Sequence, residues 1–235
     1  MQKLAIFGDS YAKKDASDIQ ERSWHDFIDT YEVTNFGEPG TDLWFSYNLF
    51  LKNYASFDKV IFLITSPYRI TLTNPNIVIY PNQNYTTASV KVETATGKEL
   101  EQYKAVVSYY EYIRDKEKDE QLHQLMVDNI KRLCPTAIVY PCFKDSWYNA
   151  WNHETALYSI TEFEDSFLGM NDQIRKEFYR RGLRDSRACH LTEDNNRLVA
   201  TMFLERLQGK ESYIQLDQLI KPKHNLEYYY QSTWH

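Results

Sequence analysis

The segment Lys59-Val60-Ile61-Phe62-Leu63-Ile64 constrains the fold more than any other stretch of this chain. It is continuously apolar after its first residue and rich in β-branched side chains. A strand with one wet face would alternate, so this run predicts a strand buried on both faces. Burial on both faces requires helices above and below, the arrangement of a parallel α/β sheet. Neighbouring segments agree. Residues 3–7 form a second such run, apolar after Lys3, and residues 32–36 and 136–140 complete four predicted strands. Residues 23–31 and 43–54 between them carry apolar side chains at helical spacing.

The spacing predicts further helices over 103–133, 163–179 and 192–207. In the first, Val106, Tyr110, Ile113, Leu122, Leu125, Val127 and Ile130 form the expected inward stripe. The charged stretch 114–120 interrupts it as a turn or a solvated face. In the last, Leu198, Val199, Met202 and Phe203 point inward. Thr192 is its N-cap, and Glu193 and Asp194 suit the positive end of the helix dipole. Residues 70–102 break the alternation. They are rich in Asn, Thr and Pro, with strand-like stretches at 77–80 and 88–93, and predict a polar insertion such as a hairpin or a lid. One domain is expected over 1–209, followed by an aromatic tail over 210–235 that contains Tyr228-Tyr229-Tyr230.

Composition removes several classes of function. A chain of 235 residues with a formal net charge of -6 lacks the bulk positive charge of a nucleic-acid footprint. No apolar run is long enough to span a bilayer, and the start has no signal-peptide pattern, so a cytoplasmic or virion-associated protein is expected. Cys134, Cys142 and Cys189 lack metal-ligand spacing and read as free thiols in a reducing compartment. No cofactor motif is present; the turn after the first strand has too few glycines for a dinucleotide fingerprint. The 19 tyrosines and five tryptophans fit a core, or a sugar- or partner-binding surface, equally well.

Chemistry concentrates at Gly8-Asp9-Ser10. Glycine allows a sharp turn at the end of the first strand, where open α/β sheets present ligand contacts and nucleophiles. A serine hydroxyl needs a base. Of six histidines, His190 stands out, because it directly precedes the last predicted helix. Asp9 reads as a turn-stabilising or helix-capping residue. Trp147 and Trp151, in an aromatic loop after the fourth strand, could stack on sugar rings or roof the core. Arg69 is a candidate for an anionic substrate group, or a salt-bridge partner at the edge of the core.

These residues resemble the sequence blocks of the SGNH (GDSL-type) hydrolases. Gly8-Asp9-Ser10 is similar to the first block. Asn35-Phe36-Gly37-Glu38-Pro39-Gly40 resembles the second, with Gly40 at the oxyanion-hole position, and His190-Leu191-Thr192-Glu193 resembles the last. The resemblance covers residues 1–69 and 130–207. It implies a three-layer α/β/α flavodoxin-like fold with a central parallel sheet, and a serine esterase with Ser10 as nucleophile and His190 as base. Ser10 and Gly40 would supply oxyanion-hole amides.

Two departures qualify it. Pro67, in Thr65-Ser66-Pro67-Tyr68-Arg69, stands where the family has an oxyanion-hole asparagine, and proline has no donor. Ser66, Thr65 or Arg69 could take over that role. Arg187 stands where the family places its aspartate, which leaves either Asp185 as the triad acid or a Ser10–His190 dyad oriented by a backbone carbonyl. The expected substrate is a small acyl ester or an acylated glycan. The alternative is a catalytically weakened glycan- or protein-binding module on the same fold. The Thr-Ser-Pro-x-Arg block resembles that of bacteriophage proteins, and the Tyr-rich tail is a candidate contact for self-association or attachment to a particle.

Overall fold

The computed structural model describes residues 1–12, 22–72, 74, 76–79, 82–143, 156–157, 160 and 191–221. Its described strands are β1 (Gln2–Phe7), β2 (Tyr31–Asn35), β3 (Lys59–Ile64), β4 (Arg69–Thr71), β5 (Asn82–Asn84) and β6 (Ile138–Pro141). Four of them form a parallel sheet in the order β2-β1-β3-β6. The register pairs Leu4 with Val33 on one side and Lys59 on the other. Pro141 pairs with Ile64 at the end of β6. Strand β6 is an edge of the described sheet, where a residue without an N–H is tolerated.

The pleat sends alternate side chains of β1 and β3 into two cores. Leu4, Ile6, Ile61 and Leu63 face one core together with Trp24, Val199, Met202 and Phe203. Ala5, Phe7, Val60, Phe62 and Ile64 face the other, with Leu43, Tyr47, Phe50, Val127 and Ile130. Helices therefore cover both faces. On one lie α1 (Leu43–Asn53) and α4 (Lys116–Leu133). On the other lie α5 (Glu193–Leu207) and a short 3₁₀ turn, Trp24–Phe27, where a regular helix was expected. Helix starts follow local chemistry. Asp42 accepts a hydrogen bond from the Phe45 amide at 2.9 Å, and Asp115 accepts one from Lys118 at 3.0 Å. Thr192 takes the extended N-cap conformation, with Glu193 and Asp194 in the first turn of α5. Beyond α5 the chain turns back along the helix. Asn195 exchanges hydrogen bonds with the Ile220 backbone, and Ile214 and Leu219 are buried.

The region after β3 differs from its expected form. Strands β4 and β5 make an antiparallel pair, and helices α2 (Tyr85–Val92) and α3 (Gly97–Ser108) follow. The stretch 88–93, expected as a strand, is therefore mostly helix; its Ala and Val side chains at every second position imitate a strand period. Residues 77–79 are not a strand. Ile79, Ala88, Tyr103 and Val106 form a small separate core. Helix α3 runs into a π-helical turn, Tyr109–Ile113, before the chain breaks at Arg114 and Asp115 and restarts as α4. On α4 the inward face follows the i, i+4, i+7 spacing of His123, Val127 and Ile130. Ile113, Leu122 and Leu125, expected inward, are exposed. Among the described residues no helix is long and apolar enough to cross a membrane.

Candidate active site

Strand β1 lies between β2 and β3, so the chain order reverses beside it. In open α/β sheets the crevice at the carboxyl end of such a switch point is where ligands bind. Gly8, Asp9 and Ser10 leave β1 at that point. Gly8 has φ +152°, and a Cβ there would lie 2.7 Å from the Leu63 Cβ and 3.2 Å from the Leu63 carbonyl oxygen. Only glycine lets the turn pass this close to β3. Ser10 is half-buried at the turn.

The loop between β2 and α1 is tied over this turn. The Glu38 amide donates to the Gly8 carbonyl at 3.1 Å, and the Ser46 hydroxyl donates to the same oxygen at 3.2 Å. Asn35 donates to the Ala12 carbonyl, and its own side-chain oxygen accepts from the Gly37 amide at 2.8 Å. Thr41 closes the loop onto the Glu38 carbonyl. Gly40 takes φ +74°, the left-handed region that glycine favours. The first and second sequence blocks are thus joined by direct hydrogen bonds.

Beneath Ser10 sits a buried polar knot around Asp9, which has no exposed surface. One carboxylate oxygen accepts from the Thr65 hydroxyl at 2.8 Å and from the Arg69 guanidinium at 2.7 Å. The other accepts from the Tyr11 amide at 3.0 Å and faces the Cys142 thiol at 3.7 Å. Burial, together with the Asp9 carboxylate, pushes the Cys142 thiol well above its ordinary pKa, so it stays a neutral donor. Arg69 also lies over the Phe143 ring, 4.9 Å from its centroid. Asp9 does stabilise its turn, through Tyr11, but it also pins the turns after β1, β3 and β6 together. Its importance was missed in the sequence. The available signal was Arg69, a cation placed just after the strand that neighbours β1.

The proposed replacements for the missing asparagine divide. Thr65 gives its hydroxyl proton to Asp9, and Arg69 commits one nitrogen to it. Ser66 accepts from the Tyr68 amide at 3.2 Å, a bond that leaves its own O–H able to donate. Pro67 lines a cavity together with Arg69 and Ile70. His190, Asp185, Trp147, Trp151 and Cys189 lie outside the described residues. Leu191, the residue after His190, is fully buried in the core cluster that also holds Tyr11 and Ala12. The Arg22 amide approaches the Glu193 carboxylate at 3.4 Å. Cys134 and Cys142 are free thiols. Among the described residues no three His, Cys, Asp or Glu side chains are grouped to hold a metal ion.

Comparison with known proteins yields no match, whether to a family model, a curated protein or a solved structure.

Proposed function

We propose that this protein is a serine hydrolase of the SGNH type, acting on a carboxylic ester. The observation that carries this reading is the position of Ser10, at the carboxyl end of a central parallel strand with the Gly40 loop hydrogen-bonded across its turn. The strand order β2-β1-β3-β6 supports a flavodoxin-like arrangement of the expected three-layer kind. Leu191 in the same cluster as Tyr11 supports a base arriving from the chain just before α5.

In the proposed reaction His190 accepts the Ser10 proton as the serine oxygen bonds to the ester carbonyl carbon. The amides of Ser10 and Gly40 and the Ser66 hydroxyl hold the oxyanion. The ester C–O bond breaks, and the leaving alkoxide takes the proton from His190. Water, deprotonated by His190, then attacks the acyl-enzyme and restores Ser10 as the carboxylic acid departs. Asp185 orients His190, or a backbone carbonyl does so.

Turnover of p-nitrophenyl acetate tests this. Ser10→Ala and His190→Ala should each lower kcat/KM by about 10³-fold or more. A Ser10→Ala protein with wild-type turnover contradicts the reading. One observation favours the second reading, a glycan- or protein-binding module. The Thr65 hydroxyl and one Arg69 nitrogen, both candidate oxyanion donors, are spent on Asp9. Binding on a glycan array that survives Ser10→Ala, with no turnover of any acetylated substrate, selects that module.

A further inference from the structure

A cavity of about 250 Å³ opens beside the turn that follows β3. Its apolar wall comes from five parts of the fold. Pro67 and Ile70 enter from the turn and β4, Trp44 from α1, Tyr109 from the π-helical turn, and Leu122 and Met126 from α4. Arg69 belongs both to this wall and to the Asp9 knot under Ser10, so the cavity and the serine turn share a side chain.

The charged groups on the wall already have protein partners. Arg69 is paired with Asp9 at 2.7 Å. Asp119 is paired with Arg114 at 2.8 Å. Asp42 accepts from the Phe45 and Thr71 amides, both at 2.9 Å. His123 is buried on α4. Burial and the nearby Arg114 charge lower its pKa to about 4, so it is uncharged at neutral pH. An ion entering this space would meet Arg69 and Asp119 already paired with opposite charges and Asp42 held by two amides, and would lose its own hydration. A neutral apolar group would gain by covering Trp44, which is 60% exposed, and Leu122, which is 48% exposed. At the roughly 30 Å³ that a water molecule occupies in the liquid, the space holds about eight non-hydrogen atoms.

We infer that this cavity is a substrate subsite that receives a neutral apolar group of that size from the ester, an inference that rests on the serine-hydrolase reading. The group can belong to the acid or the alcohol. Two homologous series distinguish these sources: p-nitrophenyl esters of acids from acetate to dodecanoate, and acetate esters of alcohols from methanol to dodecanol. In one series kcat/KM should rise at least tenfold up to about eight carbons and then level or fall. Leu122→Trp, which fills the cavity from a half-exposed helix position, should erase that preference. Trp44→Ala, at an exposed site, should raise KM for the best ester severalfold. If both series are flat while Ser10→Ala abolishes turnover, the subsite is overturned and the hydrolase reading stands. A p-nitrophenyl hemisuccinate that outpaces the octanoate also overturns it, because Arg69 would then be receiving an anion. If Ser10→Ala leaves turnover intact, the hydrolase reading fails and the subsite falls with it.

Discussion

At the end of β1, three consecutive residues are fixed by a glycine that admits no Cβ, a carboxylate with no exposed surface, and a loop hydrogen-bonded across the turn. In the insertion after β3, by contrast, one short antiparallel strand pair and two helices rest on four buried side chains. The first region is held by contacts between segments far apart in sequence, the second mostly by its own. A serine nucleophile of the proposed kind needs fixed geometry, which the first region supplies. The second region, resting on local contacts, is expected to open more readily than the first.

The largest effect expected from breaking this contrast is on the polar knot. Arg69→Met leaves Asp9 buried without its cation, which should cost about 3–5 kcal/mol of unfolding free energy in urea. A loss below 1 kcal/mol would mean that Asp9 is not held as an ion pair. Gly8→Ala forces a methyl group against Leu63 at a backbone angle that glycine favours. A loss of about 2–4 kcal/mol is expected in the same assay.

The third effect is a pH dependence set by His123, the buried α4 residue that lines the cavity. Its folded-state pKa is about 4, below the 6.5 of the unfolded chain. The unfolded state therefore binds the proton first. Stability falls as pH drops from about 6.5 towards 4, by up to about 3 kcal/mol, and this contribution stops changing below that. His123→Gln should flatten the stability profile across that window; an unchanged slope would assign it to other groups.

The smallest effect belongs to the insertion. Val106→Ala should cost about 1.5 kcal/mol. Hydrogen exchange should show protection lost in α2 and α3 but retained in β1 and β3. Equal loss in the sheet would show that the insertion and the sheet unfold as one unit.

The same contrast explains what the sequence made legible. Strands β1 and β3 are buried on both faces, so their continuous apolar runs have one interpretation. Helix α2 does not. Ala88, Val90 and Val92 alternate as a strand would, yet Ala88 and Val92 also lie one helical turn apart, the spacing the helix uses to face Tyr103 and Val106. In α4 the inward face is His123, Val127 and Ile130, at i, i+4 and i+7; Leu122 and Leu125 lie roughly 100° or more around the helix from it, so their apolar character suggested a burial that their spacing does not support. At the site, the turns that carry Ser10 and Gly40 could be read from local turn chemistry. Asp9 could not, because its role depends on Thr65, Arg69 and Cys142, partners between 56 and 133 residues away.

Covalent labelling decides whether Ser10 is the proposed nucleophile. The protein is treated with a fluorophosphonate, its intact mass is measured, and the adduct is located by peptide mapping. One adduct is expected, on Ser10, absent from Ser10→Ala. An unmodified wild-type protein, or equal labelling of Ser10→Ala, would contradict it.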